Sequence, residues 1–451
     1  MRVIWSVLFL GWVGLAMWSC TETVPPSEQP SESMVEKGVV RDGGEPHREP
    51  VADSAPPEPT PEPTKEVKPE PTPEPVVEPA PDKTWPPGTP PACPVVTPTS
   101  VPSSLKLPSF YKKYVNAGGI PIVASDKVPT AAFQRAYYII ANMLRGKPCI
   151  RKALAMSGIR MGIIGDKEVT LDMPEYSDLN KAFPGTDWNK RARGLGATWV
   201  RPLTTGSEEN LLLYPNNRWK GEQIFLHEVA HSFFEFGVRA LKEGPTHQKT
   251  LETLYADAKK KGLWKNTYAM TNANEYWAET VQSWFSDNID RDPPDGIHNN
   301  VNTRKELKSY DPKMAAFISK FFDATPWPVA CATDGQGPAW KDPTPKDPMA
   351  ATCEFHEVLL KDLGCKTTPR PSSTDSKTSG RVLFLNRSMT ETIKIFWVDR
   401  QGSKRAYGTL GPRSQRSLSS FQTHAWVLEK NDGSCLGVYQ LTHPANVIAV
   451  E

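Results

Sequence analysis

Histidine is scarce in this chain, eight among 451 residues, so any pair held at a metal-binding spacing stands out. Also missing is a compact Lys/Arg run: Lys and Arg total 53 and Asp and Glu 51, for a net charge of +2. That balance gives no argument for nucleic acid as a partner. The apolar run Val3–Met17 falls short of the ~20 residues a permanent membrane span needs. The spacing of Cys353 and Cys365 is not that of a zinc ribbon. The charge is unevenly spread, with 14 acidic and 6 basic side chains in residues 25–84, which leaves the rest distinctly basic.

The N-terminus reads as an export signal over residues 1–20. Arg2 supplies the positive start and Val3–Met17 the apolar region. Ser19-Cys20 resembles a bacterial lipoprotein cleavage site, although Met17-Trp18 depart from the Leu and small residue preferred there. The resemblance implies a lipid anchor at Cys20. The expected location is the bacterial cell envelope, or outside the cell if the signal is cleaved in the ordinary way. Six cysteines follow Cys20, namely Cys93, Cys149, Cys331, Cys353, Cys365 and Cys435. An even number in an exported chain predicts disulfides, and the fifteen possible pairings stay open.

Residues 21–100 are rich in Pro and Glu, with "PEPTKEVKPEPTPEP" nearly repeating itself. Such a stretch buries too little apolar surface to offset chain entropy, so it reads as a disordered, extended tether. Residues 101–330 turn globular, with helical spacing in "TAAFQRAYYIIANMLRG" and strand character in "MGIIG" and "EENLLLYP". Further helices are expected for "GEQIFLHEVAHSFFEFG", closed by Gly237, and for "NANEYWAETVQSWFSDN". "DPKMAAFISKFFDA" should form another, with Asp311 as N-cap and Pro312 in its first turn. Residues 331–380 form a Cys-containing linker. Residues 381–451 carry short strands between regularly spaced turns, the pattern of a small sandwich. The expected fold is therefore an α+β domain, then an all-β sandwich, behind a disordered stalk.

"HEVAH" places His227 and His231 four apart, so on a helix both imidazoles leave one face and grip one zinc ion. Glu228 follows His227, about 100° around the helix, within reach of a water at the metal. The third ligand is not a histidine at metzincin spacing, since the next one is His247 in "EGPTHQK". "EYWAE" instead offers Glu275 and Glu279 four apart on one helical face. One can complete the ligand set while the other hydrogen-bonds a ligand histidine. His298, in "DGIHNNVNTR", reads as a solvated loop histidine, with contact to substrate as the alternative.

"HEVAH" followed by "YAMTNANEYWAE" resembles the gluzincin catalytic domain of anthrax lethal factor and its relatives. A tyrosine seven residues before the ligand glutamate and an E-aromatic-aromatic-A-E run carry the likeness. The resemblance implies a zincin-like fold over 101–330, Glu275 as third zinc ligand, Glu279 behind a histidine and Tyr268 as phenolic donor. Glu228 would then take the water's proton and return it to the leaving amine. Zinc and Tyr268 would stabilise the oxyanion. "EENLLLYP" would be either the edge strand that pairs with an extended peptide or a plain core strand.

In residues 381–439, "FLNRS", "YGTLGP" and "SSFQTHAWVL" resemble the β domain of the von Hippel-Lindau tumour suppressor. That family binds 4-hydroxyproline in a Trp, Tyr, Ser, His, Trp pocket. The same types occur in order as Trp397, Tyr407, Ser420, His424 and Trp426, with one extra residue between Asn386 and Trp397. Aromatic walls suit a pyrrolidine ring, and the hydroxyl and imidazole can hydrogen-bond an added hydroxyl. The combined expectation is an exported zinc metalloendopeptidase whose β module captures protein substrates, with hydroxyproline-containing proteins as a candidate class. The alternative is a surface adhesin with a non-catalytic metal site.

Overall fold

The computed structural model describes residues 89–367 and 371–451. The export signal, Cys20 and residues 21–88 of the tether lie outside the described residues. Residues 89–100, which composition assigns to the tether, are instead pinned down. Cys93 is disulfide-bonded to Cys331 and its N–H donates to the Ala332 carbonyl. Thr99 exchanges backbone hydrogen bonds with Tyr114. A covalent tie and backbone pairing thus override a proline-rich composition.

The first domain is α+β. Strands β1 (Lys113–Asn116), β2 (Pro121–Ala124), β3 (Arg160–Ile164) and β4 (Leu203–Ser207) form one sheet in that order. β1 and β2 are antiparallel, while β2, β3 and β4 run parallel. Helices Thr130–Met143 and Pro148–Met156 make the crossover between β2 and β3. "MGIIG" is a strand as expected, buried at every residue of β3, which suits a parallel strand covered on both faces.

"EENLLLYP" is not a strand. Glu208–Leu211 form a short helix directly after β4. Glu209 is drawn there by a two-pronged ion pair with Arg193, at 2.6 and 2.7 Å. This charge-assisted contact from a residue 16 positions away outweighs local strand propensity.

The histidine helix, Ile224–Ser232, packs across β4 and runs into a π-helical turn, Phe233–Val238. Gly237, expected to close the helix, lies inside that turn. A Cβ there would come within 2.6 Å of Ile150, so the residue serves close packing rather than a left-handed cap. The glutamate helix, Ala273–Trp284, is capped by the Asn272 side chain, which accepts from the Asn274 and Glu275 N–H groups. Asp311 caps Pro312–Ile318 as expected, accepting from the Met314 N–H.

The expected linker is tied into the structure. Cys149–Cys353 fastens it to helix Pro148–Met156, and β5 (Glu357–Leu359) joins a sheet of the C-terminal module. The module is an all-β pair of four-stranded sheets. One has the order β5, β12 (Ala445–Val450), β6 (Ser379–Asn386), β9 (Ser414–Phe421). The other runs β11 (Cys435–Gln440), β10 (Ala425–Lys430), β7 (Ile393–Val398), β8 (Lys404–Leu410). Cys365–Cys435 completes the disulfides. Among the described residues no helix is long and apolar enough to cross a membrane.

Candidate metal centre and aromatic pocket

The histidine and glutamate helices bring His227, His231 and Glu275 to one point. The Nε2 atoms of the two histidines are 3.1 Å apart, and each lies 3.1 Å from Glu275 Oε2. All three residues are buried. Two facing imidazole nitrogens satisfy one another poorly as hydrogen-bond partners but well as ligands of one cation. Ligand atoms at zinc distances from a tetrahedral ion are about 3.3 Å apart, which this triangle nearly matches. Glu228 Oε2 and Glu275 Oε1 are buried and carry no hydrogen bond, a further sign of a site shaped for a positive charge.

The aromatic pair of the "EYWAE" run explains how the helices meet. Trp277 Nε1 donates to the Ala230 carbonyl at 2.8 Å, next to His231, and its ring stacks on Phe322. Tyr276 reaches the other way and donates to Asp311 Oδ2 at 2.5 Å, the carboxylate that caps the following helix. One residue clamps the ligand helices together, and the other fixes the glutamate helix to the body of the domain.

Electrostatics follow from burial and crowding. Burial opposes ionisation of Glu275, yet His231 and His227 hold its carboxyl well below the usual range. Burial pushes the Glu228 carboxyl up, against the lowering effect of the two histidines. Burial also raises Glu279. Desolvation works against a charged His227, but Glu275, Glu228 and Glu279 together push its pKa well up.

The residue behind His227 differs from the expectation. Gln282 Oε1 lies 2.7 Å from His227 Nδ1, while the nearest Glu279 oxygen is 3.5 Å away and Glu279 Oε2 accepts from Asn288 at 3.1 Å. Gln282 lies seven residues after Glu275, two turns along the same face, so it shares the ligand's direction. The seven-residue spacing is the sequence signal for this role. Gln282 Nε2 continues to Glu222 Oε2 at 3.2 Å, which faces His298 Nε2 at 3.3 Å. His298 is therefore not solvated. It is only 6% exposed, because the Asp295 turn folds it inward onto Glu222. His247 stays apart from the centre, its ring edge-on to Phe321.

A cleft of about 260 Å³ opens onto the centre, and Tyr268, Glu228 and Glu279 line it with His227 and Glu275. Tyr268 is half-buried, and its N–H donates to the Ile297 carbonyl. Part of the lining is a strap that runs on from Arg193. Leu195 bridges Thr205 of β4 in antiparallel fashion, so the strap is the backbone beside the cleft, in the place expected of "EENLLLYP".

The five pocket residues of the β module also meet. Trp397 lies directly opposite Trp426 across β7 and β10. The Trp397 and His424 rings are 5.4 Å apart, and Tyr407 and Trp426 5.1 Å. Ser420 Oγ sits 3.1 Å from His424 Nδ1. β8 carries one more residue than β7 between the pairs Lys394–Thr409 and Phe396–Ala406, a bulge that re-aims Tyr407. Trp426 and Ser420 are buried while Tyr407 is 44% exposed, so the cluster has an inner wall and an open lip. The indole nitrogens of Trp397 and Trp426 are buried without an acceptor.

Residues 372–438 match the family model of the VHL beta domain, which supports a von Hippel-Lindau-like C-terminal module. The likeness of the first domain to lethal factor has no such support. No curated protein matches this chain. An NMR structure of a protein from Eubacterium rectale is similar over 18% of this chain and 85% of its own, at 17% identity and a TM-score of 0.13.

Proposed function

We propose that the chain is an exported metallopeptidase of the zincin type, whose β module captures protein substrates. The observation that carries this reading is the 3.1 Å triangle of His227, His231 and Glu275, with the buried Glu228 beside it. The nitrogen and oxygen donors suit zinc, which would supply Lewis acidity at a scissile carbonyl and lower the pKa of a water it holds. Glu228 takes the proton of the attacking water and passes it to the leaving amine, since the other cleft carboxylates are engaged, Glu222 by Gln282 and His298. Glu275 is a ligand, and Glu279 is held by Asn288. Tyr268 donates to the oxyanion from the cleft wall. Gln282 accepts from His227 Nδ1 and so fixes the tautomer that leaves Nε2 free to ligate.

The β module would take a proline-type ring between Trp397, Tyr407 and Trp426, with Ser420 and His424 toward an added hydroxyl and two vacant indole donors toward a carbonyl. The likeness to the VHL beta domain supports hydroxyproline-containing proteins as the captured class. The reading includes a membrane anchor at Cys20 and an envelope location.

The test is metal content together with a peptide-cleavage profile of the whole protein. About one zinc per chain and cleavage abolished in Glu228→Gln, with zinc retained, are expected. Full activity in that variant removes Glu228 from the mechanism. The family match falls on the module rather than on the metal domain, which favours a second reading, an adhesin with an idle metal site. A zinc-loaded protein that cuts nothing across a peptide library would select it.

A further inference from the structure

The strap from Arg193 to Pro202 touches the proposed catalytic groups at one end and the β module at the other. At the first end two glycines permit close approach. A Cβ on Gly194 would meet Ile224 of the histidine helix at 2.5 Å and Glu228 Cγ at 3.3 Å. A Cβ on Gly196 would meet His231 Cβ at 3.2 Å and Glu228 Oε2 at 3.3 Å. The strap backbone therefore lies directly on the general-base glutamate and a ligand histidine. It is threaded there by the Arg193–Glu209 pair and by the Leu195 bridge to β4.

Four residues on, the strap turns over at Thr198–Arg201, whose ends are joined by a 3.0 Å bond from the Thr198 N–H to the Arg201 carbonyl. The module holds this turn. Arg387 Nε donates to the Trp199 carbonyl at 2.9 Å, and Arg413 Nη1 to the Val200 carbonyl at 3.2 Å. The Val200 side chain is buried against Leu385 and Val447 of the module. Arg413 sits in the turn between β8, which carries Tyr407, and β9, which carries Ser420. Its backbone has φ +50, a conformation that a non-glycine residue adopts only when its surroundings impose it. Its N–H donates to the Ser388 carbonyl at 3.0 Å.

We infer that Arg387 and Arg413 are positioning residues, through which the pocket-bearing β module sets the strap against Glu228 and so tunes the cleft. This deepens the peptidase reading and rests on it for its consequence in catalysis, but the mechanical link stands on the contacts alone. Arg387 and Arg413 touch neither the metal ligands nor the cleft, so they act through the backbone carbonyls of Trp199 and Val200.

The experiment uses the full chain with Arg387→Ala/Arg413→Ala, read by amide hydrogen exchange of residues 194–200, zinc content and cleavage kinetics. Loss of the two donors should speed exchange in the strap by about 10–100-fold, roughly a decade per net hydrogen bond lost. Zinc content should be unchanged, and kcat should fall by about tenfold with KM within about twofold, the signature of an interaction felt in the transition state. Strap exchange unchanged from the parent overturns the inference. If the double variant does not fold, Arg413→Lys is read in the same way, and faster exchange confined to 194–200 is the supporting result. If the parent protein cleaves nothing, the peptidase reading fails on its own, while strap exchange still decides whether the module holds the strap.

Discussion

Gln282 shows how one side chain sets the character of a candidate metal site. With its carbonyl oxygen 2.7 Å from His227 Nδ1, it fixes which nitrogen carries the proton. Gln282→Ala is expected to weaken zinc binding by about 10–100-fold, whereas Glu279→Gln, at 3.5 Å, should cost less. A competition titration with a chromogenic chelator measures both, and the reverse order would return Glu279 to the role first expected for it. Tyr268→Phe should lower kcat by about 10²–10³ while leaving zinc content intact. In the pocket, burial first and Arg400 second hold the His424 imidazole below its ordinary value of 6.5. The unfolded chain therefore binds this proton more readily than the folded one. The module should hold constant stability and constant affinity for a hydroxyproline peptide above about pH 6.5, and lose both as the pH falls below it. Calorimetric titration between about pH 5 and pH 8 checks this, and binding that strengthens on acidification would contradict it.

Trp277 ties the two helices of the candidate metal centre together. It is 1% exposed, packed among Phe234, Phe317, Phe321 and Phe322, and hydrogen-bonded to the helix that bears both histidines. Trp277→Ala should cost about 3–5 kcal/mol in urea unfolding and lower zinc affinity as well. Trp277→Phe, which keeps most of the volume, should cost less than half of that. These helices were readable in the sequence because their periodicity and their chemistry coincide. His227 and His231 share a face, and so do Glu275 and Glu279. The failures arose where a distant partner decides. Arg193 pulls Glu209 into a helix, Ile150 crowds Gly237, and Glu222 draws His298 inside. None of these partners is adjacent in sequence, so no local pattern announces them.

Two disulfides join residues 238 and 204 positions apart, and the fifteen pairings open in the sequence are resolved only by the three-dimensional path of the chain. Replacing Cys149 and Cys353 by Ser should lower stability by about 2–4 kcal/mol, read by thermal unfolding under non-reducing conditions. Cys149–Cys353 also draws the segment before the module onto the first domain, where Lys242 and His356 add backbone bonds across the junction. The aromatic cluster and the metal cleft are thus parts of one stapled body rather than two beads on a string. A polypeptide gripped by its ring at one place would present a constant length of chain to the other. On the proposed peptidase reading, its scissile bond would be chosen by counting residues from the gripped ring, and the protein would work as a ruler.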